Sequence, residues 1–251
     1  MSQFETILYE KHDGIAYITL NRPQKLNAYN TRMRDDLYEV LGAIKDDPDV
    51  RVVILRAAGE KAFCAGADLS EFLTAPSPLV ARQVRWERDV WGRFLTVAQP
   101  VIEAMHGFVL GSGMEMALCC DIRIASADAQ FGLPETTLGI IPAAGGTQTL
   151  PRVIGRGKAL EMLLTGSRLD ASQALQVGLI DSVVPRPQLM PAAEEMARRI
   201  ASYQPLAVRA VKEAVVRGLD LSLTDGIKLE SQLSANVQCA KRLKQSPPQE
   251  L

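Results

Sequence analysis

Apolar and polar residues alternate along Ile15–Leu20, a run rich in β-branched and aromatic side chains, and this period of two predicts a strand that Asn21-Arg22-Pro23 ends. The period then lengthens. From Thr31, read as the N-cap, apolar Met33, Leu37, Val40, Leu41 and Ile44 recur at helical spacing until Asp46-Asp47-Pro48 interrupts them. Val50 to Arg56 follows as a more apolar run, of the kind a strand buried on both faces carries. Strand, helix and strand in this order point to the α/β class.

The same reading predicts one long helix around Leu79 to Ala98, a strand at Val101–Met105, a short helix after Gly113 and a strand at Ile122–Ala125. After about Gly155 the signals become mostly helical: Lys158–Leu164, Ala171–Val177, Pro191–Ala201 and Leu206–Leu219, the last with a clear 3.6-residue period. The expected organisation is a core at residues 1–190, a helical C-terminal part at 191–251 and a frayed tail from Gln245.

Composition narrows the function classes. A chain of 251 residues that is 47% hydrophobic can bury one large core, or a core with a smaller appendage. Lys+Arg 28 against Asp+Glu 29 gives a net charge of −1, which offers no general attraction to nucleic acid. Apolar runs break well before the roughly 20 residues that span a bilayer, so no membrane association is expected. The first residues lack the basic region and apolar run of a secretory signal. Cys64, Cys119, Cys120 and Cys239, with His12 and His106 as the only histidines, form no metal-ligand pattern; they read as reduced thiols of a cytoplasmic protein without metal or separate cofactor.

Three stretches carry candidate chemistry. In Lys61–Phe72, small Ala65, Gly66 and Ala67 lie between a strand and a helix start at Asp68, where a ligand can touch backbone. In Gly107–Asp121, Gly111-Ser112-Gly113 opens a short apolar helix with Glu115 in its first turn, and the unpaired amides of such a turn favour an oxyanion. In Ala129–Gln148, Glu135 directly follows Pro134, and a second glycine turn stands at Gly145-Gly146. Each of the first two alone reads equally well as a helix-entry turn, and Glu135 alone reads far more readily as a solvated or helix-start charge. Their combination in order is the informative signal.

Together these stretches resemble the signatures of the enoyl-CoA hydratase/isomerase superfamily, also called the crotonase family. The resemblance covers nearly the whole chain, from Asn21-Arg22-Pro23 and Lys25-Leu26-Asn27-Ala28 through the AGAD loop at Ala65–Asp68, the GxGxE turn ending at Glu115, and FGLPE to GGTQ. It implies a crotonase-like spiral of strand-strand-helix repeats, with a helical C-terminal part that builds homotrimers or homohexamers. It also implies an acyl-CoA thioester substrate, whose carbonyl lies between the N–H groups of Ala67 and Ser112, and two catalytic glutamates, Glu115 and Glu135. Coenzyme A contacts are expected from Lys25, Leu26 and Ala28 and from Ala65, Ala67, Asp68, Leu69, Ser70 and Ser112.

With both acidic positions filled by Glu, the resemblance points to reversible hydration of a 2-enoyl-CoA. Double-bond isomerisation and a non-catalytic or RNA-binding role are its alternatives. Two departures from the family pattern stand out: Ser112 where many hydratases have glycine, and a short, divergent end after Glu230. Other residues have plainer readings. His106 reads as structural, Cys119-Cys120 as core, Asp68 as an N-cap, and Trp86 and Trp91 as helix packing that could also line an acyl pocket.

Overall fold

The computed structural model of the protein describes residues 4–71 and 77–245; the tail expected to fray beyond Gln245 lies outside the described residues. Strand β1 (Ile7–His12) forms an antiparallel hairpin with β2 (Ile15–Leu20). Then come α1 (Thr31–Asp46), β3 (Val52–Ala57), β4 (Ala62–Cys64), α2 (Pro78–Glu87), α3 (Val90–Thr96), β5 (Val101–Met105), β6 (Phe108–Leu110) and α4 (Ser112–Cys119). After these follow β7 (Ile122–Ser126), β8 (Gln130–Gly132), α5 (Gly146–Ile154), α6 (Arg156–Thr165), β9 (Arg168–Asp170), α7 (Ala171–Gln176) and β10 (Ser182–Val184). Helices α8 (Leu189–Ala201), α9 (Pro205–Gly218) and α10 (Leu223–Gln245) complete the described chain.

The strands form a six-stranded sheet, β1-β2-β3-β5-β7-β10, and a four-stranded sheet, β4-β6-β8-β9. From β2 onward the large sheet is parallel, as are β4, β6 and β8 in the small one. Each of the pairs β3/β4, β5/β6 and β7/β8 sends its first strand into the large sheet and its second into the small one. This is the spiral of strand-strand-helix repeats expected from the resemblance.

One apolar cluster joins Phe63, Phe94 and Phe131, all fully buried, to the inner face of α1 and to α4. Burying a side chain of that size contributes about 1.5–3 kcal/mol. The other face of the large sheet is closed by α8, whose Ala193, Ala197 and Ala201 recur every fourth residue and bring the helix close to Ile54, Ile102 and Ile124. The expected division between residues 190 and 191 therefore falls inside α8, a helix that completes the core.

Local chemistry explains where expectation and structure part. Asn30, not Thr31, caps α1, because its side chain accepts the Met33 N–H at 2.9 Å. The single helix expected at 79–98 is two: Arg88 leaves helical geometry, and the Asp89 side chain accepts the Gly92 N–H at 3.0 Å to start α3. Val90 and Phe94 keep the helical period through that break by facing the core. Trp86 is exposed. Helix α10 lacks a strong apolar period, so its bounds were not predicted within the part expected to be helical, and it packs on α9. Among the described residues, no helix is long and apolar enough to cross a membrane.

Candidate active site

Three loops leave the C-terminal ends of the parallel strands β4, β6 and β8 and meet at one place, the edge where open parallel sheets usually hold ligands. The first begins where β4 runs into Ala65-Gly66-Ala67-Asp68. Tyr29 lies alongside, donating its N–H to Gly66 O at 2.8 Å and accepting the Asp68 N–H at 2.7 Å, a parallel bridge opposite Ala67. In such a bridge the intervening residue turns its polar groups the other way. The Ala67 N–H makes no hydrogen bond among the described residues. Asp68 caps a single 3₁₀ turn, Leu69–Glu71, through bonds from Ser70 N–H (3.2 Å) and Oγ (2.6 Å), and it also accepts Arg22 Nη2 at 2.9 Å. These bonds from Ser70 and Arg22 hold its carboxyl below the usual range.

The second loop is the turn after β6. Gly111 takes φ 51° and ψ −123°, a conformation side-chain-bearing residues avoid, and its N–H bonds Gly132 O at 3.0 Å. A Cβ there would stand 3.0 Å from Glu135 Oε1 and 3.3 Å from Gly66 Cα, so the first two loops touch backbone to backbone. Helix α4 opens at Ser112, inside the Gly111-Ser112-Gly113 turn expected to start it, and the Ser112 N–H likewise makes no hydrogen bond among the described residues.

Glu115, in the first turn of α4, is 3% exposed, and its Oε1 accepts N–H groups from Ala144 (2.8 Å) and Gly146 (3.0 Å). Two amide donors on one oxygen suit a carboxylate. A Cβ on Gly146 would crowd Pro142 Cβ at 2.9 Å and Glu115 Oε1 at 3.1 Å, which accounts for the second glycine turn.

Glu135 follows β8 and opens a 3₁₀ turn. Its Oε2 is buried without a hydrogen-bond partner. Burial pushes its carboxyl up to about 7; its own backbone N–H opposes the rise, and the charge of Glu115 adds to it. The two carboxyls thus occupy unlike surroundings, one solvated by amides and one by almost nothing.

Both carboxyls line one cavity of about 630 Å³ together with Ala67 and Ser112. Val80, Val84, Trp91 and Ile141 contribute apolar surface to its lining, with the Tyr29 ring against Trp91 at a centroid distance of 5.4 Å. The volume suits a small organic group. Both glutamates and both amides read from the sequence are therefore brought together.

The residues expected to bind coenzyme A are divided. Ala65, Ala67, Asp68, Leu69 and Ser112 line the large cavity. Ser70 does not; it is exposed and its hydroxyl donates to Asp68. Leu26 lines a separate cleft of about 290 Å³, while exposed Lys25 and half-buried Ala28 line neither. The 25–28 segment instead shoulders the first loop, since Ala65 N–H donates to Leu26 O at 3.1 Å.

His106 is buried outside both cavities, and burial pushes its imidazole down to about 4. Cys119 and Cys120 are core residues whose thiols burial pushes upward. Among the described residues, no group of three or more His, Cys, Asp and Glu could hold a metal ion. Tyr29, Ala144 and Arg22 were not singled out from the sequence. Tyr29 and Ala144 gave no signal, and Arg22 stood only as part of a motif.

Comparison with known proteins adds a second line of observation. A family model described as "Enoyl-CoA hydratase/isomerase" matches residues 10–249. YngF of Bacillus subtilis (strain 168), whose name assigns it provisionally to enoyl-CoA hydratase/isomerase, is 45% identical over 227 residues, covering 90% of this chain and 87% of that one. The short-chain-enoyl-CoA hydratase of Clostridium acetobutylicum is 40% identical over 230 residues, covering 92% and 88%. The crystal structure of an enoyl-CoA hydratase from Bacillus anthracis superposes with a TM-score of 0.88 at 42% identity, covering 93% of this chain and 91% of that one.

Proposed function

Because the chain belongs to the enoyl-CoA hydratase/isomerase family, we propose that it reversibly adds water, with syn geometry, across the 2,3 double bond of a 2-enoyl-CoA thioester. One observation carries the reading: two carboxyls in unlike surroundings share a cavity with two uncommitted amide N–H groups.

As water attacks the β-carbon, negative charge moves onto the thioester oxygen. The N–H groups of Ala67 and Ser112 receive that charge as fixed donors, and losing one donor of this kind typically costs about 2.7–4 kcal/mol. Glu115, its Oε1 held by Ala144 and Gly146, orients the water and takes its proton. Glu135, kept protonated toward neutral pH by burial, delivers a proton to the α-carbon. The Ala65–Ser70 loop and the Lys25–Ala28 shoulder are assigned to coenzyme A, and the apolar lining to the acyl chain.

The test is the absorbance of the conjugated thioester. Crotonyl-CoA or a longer 2-enoyl-CoA is expected to lose it on addition of the protein. For hydration, kcat/KM should fall as pH rises through about 7, because Glu135 loses the proton it must donate. For dehydration of a 3-hydroxyacyl-CoA, kcat/KM should fall through the same range, because hydration involves no net proton change and the equilibrium constant fixes the ratio of the two values at every pH. No loss of absorbance with any 2-enoyl-CoA, alongside conversion of a 3-enoyl-CoA, would replace hydration by double-bond isomerisation.

The reading includes a homotrimer, alone or paired into a hexamer, in a cytoplasmic compartment. Helix α9 buries none of its residues fully, yet it and its neighbour expose Val211, Val215, Leu219, Leu223 and Ile227, an apolar face that water would otherwise meet. Light scattering should give three or six times the 27.4 kDa chain mass, and Val215→Glu with Leu219→Glu should lower it. A wild-type monomer at micromolar concentration would refute the trimer.

A further inference from the structure

We propose that Arg22 is a positioning residue that aims the Ala67 N–H. The inference rests on the hydratase reading for its consequence, but its geometry stands by itself. Ala67 lies in the loop where Gly66 has φ +109°, a residue whose backbone has more conformational freedom than any other. The bridge to Tyr29 supplies only two hydrogen bonds, one on each side of Ala67.

The Arg22 guanidinium spans that bridge. Nη1 donates to Ala28 O, next to Tyr29 on one side, and Nη2 donates to Asp68 Oδ2 at 2.9 Å, next to Ala67 on the other. One planar group therefore ties both sides of the bridge at the residues flanking its centre. The pair is well shielded, with side-chain exposures of 15% for Arg22 and 12% for Asp68.

The clamp is itself anchored. Arg22 N–H donates to Asn27 Oδ1 at 2.8 Å, and Arg22 O accepts the N–H groups of Lys25 and Asn27. Asn27 is fully buried, and its Nδ2 donates to Ala58 O at 2.8 Å and Ala62 O at 3.0 Å, fastening the assembly to the end of β3 and the first residue of β4. A rigid path thus runs from the sheet through Asn27, Arg22 and Asp68 to the residue beside Ala67. The opposite side of the loop rests on the Gly111 turn.

An oxyanion donor acts through its direction, and it must already point at the developing charge before the reaction begins. A lysine at position 22 carries the same charge but lacks the planar fork, so it cannot reach Ala28 O and Asp68 together in fixed geometry. Losing the clamp would leave ground-state binding through the rest of the cavity intact and cost transition-state stabilisation, which separates it from a general structural role.

The test compares wild type with Arg22→Lys and Asp68→Asn. Turnover of crotonyl-CoA, binding of saturated butyryl-CoA and the infrared carbonyl stretch of bound butyryl-CoA are measured on each. Both variants should lose about 10- to 100-fold in kcat and shift the carbonyl stretch back toward its free value, and Arg22→Lys, which lies outside the cavity lining, should keep KM and butyryl-CoA affinity within about threefold. The double variant should be no worse than the weaker single, as expected for two residues in one device. Unchanged kcat and carbonyl stretch in Arg22→Lys, or a loss confined to KM and butyryl-CoA affinity, would overturn the proposal. If the wild type hydrates no enoyl-CoA, the functional reading falls, while the carbonyl stretch still decides whether Arg22 aims the donor.

Discussion

Glu135→Gln is expected to lower kcat by about 10²–10⁴ while the chain remains folded. The amide keeps the size of the carboxyl but can neither hold nor release the proton that the α-carbon needs. Because Glu135 Oε2 has no hydrogen-bond partner, the substitution breaks no bond at that atom. A stability measurement separates this from damage to the fold. The carboxyl of Glu135 is raised to about 7 when folded, above its ordinary value, so its contribution to stability is full at acidic pH and is lost as pH climbs through about 7. Wild type should therefore lose melting temperature relative to the variant between about pH 5 and 8, with the difference levelling off above that range. Equal turnover by the two proteins would remove Glu135 from the mechanism.

The second large effect is expected at a residue with no side chain. Gly111→Ala forces a Cβ to 3.0 Å from Glu135 Oε1 and 3.3 Å from Gly66 Cα, at φ 51° and ψ −123°. Backbone strain of that kind costs about 1–3 kcal/mol, and overpacking typically adds about 1–3 kcal/mol. The melting temperature should fall by roughly ten degrees. Because the added methyl pushes on the acid and on both donor loops at once, the loss of activity should exceed the loss of stability: a residual kcat below about one hundredth of wild type, even at temperatures where circular dichroism reports a folded protein. A variant with near-normal kcat would show that the contact between the two loops is dispensable.

The site was more legible in the sequence than the elements that carry it. The stretches that hold Ala67, Ser112, Glu115 and Glu135 are local patterns, visible without knowing how the strands pair, and the roles of those four residues are what the family resemblance of the ordered set implies. Strands β4, β6, β8 and β9 are three residues each, too short for alternation to register, although β4, β6 and β8 deliver the site loops. The break between α2 and α3 escaped notice because Val90 and Phe94 continue the helical period past Asp89. Arg22 was invisible as a clamp because its partner Asp68 lies 46 positions along the chain, and no local pattern announces such a pairing. The cradle of Glu115 was hidden for the same reason: it consists of backbone amides 29 and 31 residues away.

Strands β4 and β6 are neighbours in one parallel ribbon, and the proposed donors leave just beyond their ends, at Ala67 and Ser112. Adjacent strands lie about 4.7–4.9 Å apart. Two N–H groups each about 2.9 Å from a shared oxygen, approaching at a near-tetrahedral angle, stand roughly 4.7 Å from each other. A ruler of that pitch matches the width of a bifurcated grip on one atom, and Glu135, the proposed proton donor, follows β8 one strand further along the same scale. A different acyl chain would then call for changes in the apolar lining and leave those graduations untouched.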